Sequence, residues 1–297
     1  MKRKQGADEA KLRRAMDVAD PDKPAICATC GTRYSQAKYD AAHCLVCEDD
    51  RQYVPSDGQR WTSYDRLLSD HCVAIKRHAD RLHELKVIPE FAIAQRAFLI
   101  ESAVGNVLWD CLPLIDAAAL AFVESRGGLA AIAISHPHYY GLMVEWARLF
   151  DCPIYLHEED RQWVMDDDQR VEFWQGARQS LVGNLSIVHT GGHFPGSTIL
   201  YCADSETVFV GDSLQISRDM KHLSVMHSFP NYIPLTGEET LQVFRRTAPL
   251  RFDAMFGAFS HQNLPQGARG VFDQSLKRYE MIFGGRGEER READACD

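Results

Sequence analysis

Apolar residues recur along the chain in short runs with two kinds of spacing, one typical of strands and one typical of helices. The runs at 96–102, 106–111, 129–135 and 152–157 are short, apolar and bounded by polar or glycine residues, which predicts buried strands. The segment 197–213 contains two such runs joined by a polar turn and therefore predicts a β-hairpin.

Helical patterns separate these strands. The segment 139–150 places Leu142, Trp146 and Leu149 together with Phe150 on one helical face. Strands followed by strand–helix alternation in each half of this region predict two sheets packed face to face with helices outside. This is an α+β fold of the αββα sandwich type. The remaining predicted elements are helices at 114–128, 237–250 and 267–283 and a strand at 252–259.

The composition divides the chain into four parts. Residues 1–24 and 284–297 are polar and charged, and we expect the first to be a disordered arm and the second a disordered tail. Between them, a cysteine-rich module at 25–60 precedes a main domain at 61–283. The chain thus predicts one large domain carrying a small module.

The bulk composition limits the classes of function. With 45% hydrophobic and 25% charged residues in 297, the chain has an ordinary globular composition, and a net charge of −9 argues against a nucleic-acid partner. Apolar stretches fall short of the roughly 18 residues that span a bilayer, and the basic start lacks the apolar region of a secretory signal. We therefore expect a cytoplasmic protein that acts on a small-molecule substrate and not at a membrane.

Nine cysteines are many for a chain without an export signal, and in a reducing compartment clustered cysteines indicate metal. Cys27 and Cys30 form one CxxC pair and Cys44 and Cys47 another, with 13 residues between the pairs. Two such turns predict a closed four-thiolate site with a structural zinc ion, and its surface is a candidate site for a protein partner. The "CGT" knuckle resembles rubredoxin, which leaves iron as an alternative, and free thiols or disulfides remain further alternatives.

Candidate metal ligands of a different kind follow the buried strands of the main domain. His136 and His138 stand two residues apart at the end of the strand 129–135 and therefore point to the same side. His193 lies between Gly-Gly and Pro-Gly turns, and Asp212 follows an apolar run and a glycine. Three imidazoles and a carboxylate at strand ends suit a divalent metal ion. Surface histidines and a turn aspartate are the alternative interpretation.

The order of these motifs, HxH, then GGHxPGS with its histidine 55 residues after His138, then a hairpin ending in Gly-Asp, resembles the metallo-β-lactamase superfamily. Asp110 matches the aspartate that this family carries on an early strand. The resemblance covers the main domain and implies the αββα fold. It places His136, His138 and His193 in the first metal site of the family, and Asp212 at the carboxylate that often bridges two metals.

The chain departs from the family at its second metal site. The family pattern HxHxDH would have aspartate and histidine where Tyr140 and Gly141 stand. His261 matches the last histidine of the family, with a surface loop histidine as the alternative. The resemblance therefore implies one metal ion in the main domain. We expect Tyr140 to steady a water molecule or an oxyanion, or else to pack in the core, and we see no turn that requires Gly141.

A metal-dependent hydrolase with a mononuclear site, acting on an ester or a thioester, is the predicted function, with zinc as the metal and Asp212 as a catalytic residue. One alternative is a non-haem iron oxygenase similar to persulfide dioxygenases, in which His136, His193 and Asp212 bind the iron. Another is a non-catalytic metal-binding module that interacts with a partner protein. The loop 218–235, rich in aromatic residues and histidines, is expected to shape the substrate pocket.

Overall fold

The computed structural model describes residues 2–16, residue 23 and residues 25–284. The disordered tail expected at 284–297 lies, apart from Gly284, outside the described residues. The helices are α1 Lys2–Ala15, α2 Leu45–Glu48, α3 Tyr64–Asp70, α4 Ala117–Ser125, α5 Met143–Phe150, α6 Gly237–Thr247 and α7 Ala268–Phe283, with 3-10 turns at Pro137–Tyr139 and Glu158–Trp163.

The strands form two large sheets and two small ones. In chain order they are β1 Ile26–Cys27, β2 Trp61–Thr62, β3 Cys72–Ala79, β4 Leu82–Ile88, β5 Arg96–Ile100, β6 Val107–Trp109, β7 Ala131–Ala133, β8 Ile154–His157, β9 Val171–Trp174, β10 Arg178–Ser180, β11 Leu185–His189, β12 Thr198–Cys202, β13 Thr207–Gly211, β14 Gln215–Ile216, β15 Leu223–Ser224, β16 Ala254–Gly257 and β17 Asn263–Leu264.

The two large sheets are mixed. The first has the strand order β3-β4-β5-β6-β7-β8-β9, antiparallel from β3 to β6 and parallel from β6 to β9. The second has the order β10-β11-β12-β13-β16-β17, in which β13 and β16 are the parallel pair. Because β6, β7 and β8 run in the same direction, the residues that follow them meet at one edge of the first sheet.

Helices cover the outer face of each sheet, and an aromatic core lies between the sheets. α5 contacts β7 and β8, and α6 and α7 contact each other and the second sheet. Between the sheets, the ring centroid of Phe98 lies 5.0 Å from that of Phe209 and 5.7 Å from that of Phe256. A capping box formed by Thr236 and Glu239 begins α6. The αββα sandwich predicted from the apolar pattern is thereby confirmed.

The four-cysteine module is built into the main domain. Its strands pair Ile26 with Thr62, so its small sheet extends past the predicted boundary at residue 60. The backbone N–H of Arg33 donates to the carbonyl of Gly141 at 3.4 Å, and that of Ser35 donates to the carbonyl of Met165 at 3.0 Å. The four cysteines share one buried cluster with apolar residues of the domain, among them Leu112, Leu114, Tyr139, Tyr140 and Phe194.

The prediction of a disordered arm at 1–24 is wrong for residues 2–16, which contain α1. Leu12 and Met16 are 3% and 1% exposed, and α1 contacts α4 and α5. Lys11 forms an ion pair of 2.6 Å with Glu124. Apolar residues four positions apart give this otherwise charged helix a buried stripe, a pattern that the high local charge obscures in the sequence. Residues 17–22 and 24 lie outside the described residues.

The sequence predicts that no segment of the chain spans a membrane. Within the described residues, no helix is both long and apolar enough to cross a bilayer.

Candidate metal centre

Three histidines and one aspartate from distant parts of the chain meet where the strands of the two sheets end. His136 and His138 follow β7, His193 lies in the turn after β11, and Asp212 comes directly after β13. These residues are between 2% and 5% exposed, and their ligand atoms all lie within 4.8 Å of one another. We call them the histidine–aspartate cluster. The structure thus brings the three histidines of the first metal site implied by the resemblance together with Asp212, the residue at the position of the bridging carboxylate.

The spacing of the donor atoms fits a tetrahedral ion. His136 Nε2 lies 3.6 Å from Asp212 Oδ2, and His193 Nε2 lies 3.9 Å from the same oxygen. His193 Nε2 is 3.4 Å from His138 Nδ1. Zinc bonds of roughly 2.0–2.2 Å place tetrahedral ligands about 3.3–3.6 Å apart, so two of these distances lie in that range and the distance from His193 to Asp212 is longer. The Nε2 atom of His136 is buried without a hydrogen-bond partner among the described residues, as expected of a metal-ligating atom.

Neighbouring groups set the orientation and the charge of the imidazoles. His193 Nδ1 lies 3.1 Å from the carbonyl of Met226, and a donor at Nδ1 leaves the lone pair on Nε2, which faces the cluster. Ser135 Oγ lies 2.9 Å from His136 Nδ1. Burial lowers the pKa of His193 to about 4 and holds the pKa of His136 well below its usual value. The imidazoles are therefore neutral near pH 7, the form that binds metal.

Tyr139, which the sequence interpretation did not select, contacts the cluster. Its hydroxyl donates to Asp212 Oδ2 at 2.8 Å, and its ring centroid lies 4.3 Å from that of His136. Burial raises the pKa of Asp212 to about 7, and the bond from Tyr139 acts in the opposite direction. The 3-10 turn that contains Tyr139 directs its side chain towards the cluster. The HxH spacing in the sequence does not predict this direction.

Tyr140 takes a different place from the one we expected. Its side chain is buried and lines a cavity between the module and the domain, together with Thr32, Arg33 and Glu145. The hydroxyl bonded to the metal-site carboxylate belongs to Tyr139, so the expected position of a phenol beside the metal was wrong by one residue. The alternative of a packed aromatic residue describes Tyr140 correctly.

His261 does not join the cluster in this structure. It is exposed in the loop between β16 and β17, and its ring lies stacked 6.3 Å from that of Phe259, measured between centroids. The next residue, Gln262, is fully buried instead, and its backbone carbonyl accepts a bond of 2.9 Å from Arg96. The role of His261 as a ligand remains a prediction without support from its position.

Gly141 has a conformational role that the sequence interpretation missed. Its φ is +47°, and a Cβ atom there would lie 2.6 Å from Leu112 O and 2.7 Å from Leu112 C. A side chain at 141 would therefore collide with rigid backbone in a left-handed conformation. The chain here has no room for the histidine that the family carries at this position.

Gly141→Ala is expected to lower the free energy of unfolding by roughly 2–5 kcal/mol, from backbone strain and overpacking together. The matched control is Gly58→Ala, because Gly58 also has a positive φ of +95°, but a Cβ atom added there would meet nothing within 4 Å. The control should lose only about 1–2 kcal/mol. Urea unfolding of both variants measures the difference, and equal losses would show that the contact with Leu112 carries no cost.

Asp110 stabilises the backbone directly before the first histidine of the cluster. Its Oδ1 accepts the backbone N–H of Ser135 at 2.8 Å, directly before His136, and its φ of +60° is one that aspartate and asparagine tolerate. Burial raises the pKa of Asp110 to about 8. Asp110 therefore fixes the strand end from which the first histidine projects.

Asp110→Asn keeps an acceptor for Ser135 but removes the ionisable group. In the wild type the unfolded carboxyl ionises near its ordinary value of 3.8 and the folded one at about 8, so stability falls as pH rises between them. The variant lacks this loss. Its advantage over the wild type should grow by several kcal/mol between pH 4 and pH 8. Urea unfolding at both pH values measures it, and a constant difference would contradict the burial of a carboxyl group.

The four-cysteine centre, formed by Cys27, Cys30, Cys44 and Cys47, also has metal-site geometry. The Sγ atoms of Cys27 and Cys47 are 3.6 Å apart and those of Cys30 and Cys44 are 3.7 Å apart. Zinc–sulfur bonds of about 2.3 Å place tetrahedral sulfurs about 3.8 Å apart. Tyr34 donates its hydroxyl to Cys44 Sγ at 3.3 Å. Four buried thiols with such spacing are compatible with a zinc ribbon.

A further group, His157, Glu159 and His189, was not foreseen. The two imidazoles are stacked with centroids 3.9 Å apart. His189 Nδ1 lies 3.0 Å from an Arg246 Nη1 donor, and His189 Nε2 lies 2.7 Å from the carbonyl of Pro195. Both nitrogens of His189 are thus engaged, so this pair braces the turn that carries His193.

The loop 218–235, which was expected to shape the substrate pocket, contacts the cluster. Besides the contact of Met226 O with His193 Nδ1, the ring of Phe229 lies 5.7 Å from that of His193 between centroids.

Comparisons with known proteins agree on the family and the fold. A sequence model of the metallo-beta-lactamase superfamily matches residues 92–257. "Uncharacterized protein YmaE" of Bacillus subtilis (strain 168) is 37% identical over 241 residues, which cover 79% of this chain and 88% of that protein. "Probable metallo-hydrolase YqgX" of the same organism is 29% identical over 103 residues, covering 28% of this chain and 49% of that protein.

Solved structures show the same architecture. The metallo-β-lactamase FIM-1 from Pseudomonas aeruginosa, in its mono-zinc form, has a TM-score of 0.54 and 12% sequence identity. The likeness covers 71% of this chain and 96% of that chain, and it shows the fold alone.

Proposed function

Because the chain belongs to the metallo-β-lactamase superfamily, we propose that it is a hydrolase in which the histidine–aspartate cluster holds one metal ion. The observation that carries the proposal is the convergence of neutral imidazoles and a carboxylate in one buried place. Burying such groups without a ligand is costly, because each loses its contacts with water. An ester or a thioester of a small molecule is the substrate class we propose.

The proposal of a single ion rests on ligand count. The side chain of Tyr140 lines a different cavity, Gly141 has no side chain, and His261 is exposed. Zinc needs about four ligands, and a second ion beside Asp212 would share that carboxylate and find few others among the described residues.

The residues of the cluster have separable roles in this mechanism. A divalent ion bound there would polarise a substrate carbonyl and activate water at neutral pH. Tyr139 donates to Oδ2 of Asp212 and fixes the carboxylate. Oδ1 of Asp212 is buried without a hydrogen-bond partner among the described residues, so we assign it the acceptance of a proton from the attacking water.

Zinc is favoured over iron by the participation of His138. An iron oxygenase would use His136, His193 and Asp212 and leave the other positions open. Here His138 Nδ1 lies 3.4 Å from His193 Nε2, which adds a third imidazole to the donor set. Three imidazole nitrogens would be the protein ligands of a catalytic zinc ion, and its fourth position, on the side of Asp212, would stay open for water or substrate. A purely structural module has no physical need for so many convergent donors.

Elemental analysis and activity assays on the purified full chain test the proposal. We expect about two zinc ions per chain, one for each centre, and hydrolysis of p-nitrophenyl acetate or an acyl thioester that stops on chelation and returns with zinc. About three ions per chain would contradict the single-ion site. Iron in the cluster, with oxygen uptake on addition of a persulfide, would favour the oxygenase. Metal at the cysteines alone would contradict any metal-dependent activity.

A further inference from the structure

Residues 49–52 of the four-cysteine module lie against the histidine–aspartate cluster. We call them the 49–52 segment. Arg51 donates from Nε to the backbone carbonyl of His193. Its guanidinium lies 4.6 Å over the ring of Phe194, and its Nη1 donates to both carboxylate oxygens of Asp49 at 2.9 and 3.0 Å. These contacts with Asp49 and Phe194 hold the planar guanidinium in one orientation. The bond that it donates to the His193 carbonyl therefore restrains the backbone of a proposed metal ligand.

The same segment holds the loop that contacts His193 from the other side. Asn231 donates from Nδ2 to the carbonyls of Asp50 at 2.9 Å and Gln52 at 2.8 Å. Ser228 donates its hydroxyl to the carbonyl of Arg51 at 3.1 Å. His193 Nδ1 lies 3.1 Å from the carbonyl of Met226 in this loop, so the 49–52 segment contacts the backbone of that histidine directly and its ring through the loop.

The conformation of the segment depends on the four-cysteine centre. Cys47 lies in α2, which ends at Glu48, and Asp49 is the C-cap of that helix. The backbone N–H of Gln52 donates to Asp49 O at 3.0 Å, so a single continuous turn links the last cysteine to Arg51. A metal ion at the four cysteines would stabilise this turn, because structural zinc supplies folding free energy that so short a module lacks on its own.

We propose that the four-cysteine module is a positioning device for the histidine–aspartate cluster, and that Arg51 is the positioning residue that transmits its effect to His193. This inference rests on the proposed metal binding at the cluster and adds a function for the module. A protein partner at the surface of the module stays a prediction, and these contacts in addition join the module to the site of its own chain. Groups that orient a metal ligand typically change metal affinity by about 10–100-fold.

Titration of the metal-free full chain with Co²⁺ separates the two centres. Cobalt bound by thiolates gives intense sulfur-to-metal charge-transfer bands, whereas cobalt bound by imidazoles and carboxylate gives only weaker visible bands. We expect Arg51→Met to weaken Co²⁺ binding at the histidine–aspartate cluster by about 10–100-fold and to leave the thiolate bands unchanged. Arg51→Lys should recover part of the affinity, because lysine can still donate to His193 O.

Lys38→Met is the matched control. Lys38 also joins the module to the domain, donating to Val164 O at 2.8 Å and pairing with Asp167, but it does not contact the 49–52 segment in any described bond. Both centres should bind Co²⁺ normally in this variant.

Each outcome decides between the two proposals. Normal cobalt binding at the cluster in Arg51→Met would overturn the positioning role and leave the proposed function intact. Equal weakening in Lys38→Met would overturn it too, because any loosening of the module would then suffice. A wild-type protein that binds cobalt only at the cysteines would overturn the proposed function and this inference together.

Discussion

His193→Ala is expected to empty the histidine–aspartate cluster of metal and abolish hydrolysis, while the four-cysteine centre keeps its ion. His193 lies next to two other donors, with its Nε2 3.4 Å from His138 Nδ1 and 3.9 Å from Asp212 Oδ2. Removal of the His193 imidazole leaves three donors in the cluster and a gap at the position of the fourth. The fall in affinity should exceed the roughly 10–100-fold that loss of an outer partner costs. Metal content per chain and esterase rate measure it.

His261→Ala is the matched control and also tests the last histidine of the family pattern. It removes an imidazole that is exposed and outside the cluster, so metal content and rate should stay at wild-type values. A loss of metal in this variant would show that His261 moves in to bind a second ion. Unchanged hydrolysis in His193→Ala would instead favour a non-catalytic function for the cluster.

The residues of the histidine–aspartate cluster could be selected because each lies beside a feature that the sequence shows directly. His136 and His138 follow an apolar run, and His193 stands between glycine and proline turns. The turn chemistry places His193 as expected, whereas the strand period does not place His138, because that residue lies in the 3-10 turn Pro137–Tyr139. Tyr139 could not be distinguished from Tyr140 in this way, because the chain leaves the strand and enters a 3-10 turn between His136 and Tyr140.

Contacts between distant segments explain what the sequence could not predict. The close approach of Gly141 to Leu112 and the bond from Arg51 to His193 join residues that no local pattern relates. The β3–β4 hairpin was missed as well, because charged residues interrupt its apolar alternation. The paired CxxC turns predicted the four-cysteine centre correctly but carried no information on the surface against which it lies.

The contact between the four-cysteine module and the main domain changes the effect expected from loss of the four-cysteine centre. From the sequence alone, a module ending near residue 60 would unfold without affecting the main domain. In the structure its cysteines share a buried cluster with domain residues such as Leu112 and Phe194. The 49–52 segment also holds the turn of His193. The module and the site should therefore lose their order together.

Cys44→Ser is thus expected to release the metal ion of the four-cysteine centre, weaken metal binding at the histidine–aspartate cluster, and lower the unfolding midpoint of the whole chain. The variant removes one of four thiolates, the one whose sulfur accepts the hydroxyl of Tyr34. Structural zinc sites contribute on the order of 10 kcal/mol to folding, so the change should be large. Metal content, esterase rate and thermal unfolding, measured on the same preparation, report the three effects.

Cys72→Ser separates this outcome from a general effect of losing a thiol. Cys72 is exposed at the start of β3 and belongs to neither metal centre, so its replacement should leave metal content, rate and midpoint unchanged. If Cys44→Ser lost one ion but kept the wild-type rate and midpoint, the module would be independent of the domain. The shared core and the bond from Arg51 to His193 lead us to expect the opposite, because a metal ligand cannot stay oriented when the segment holding its backbone has unfolded.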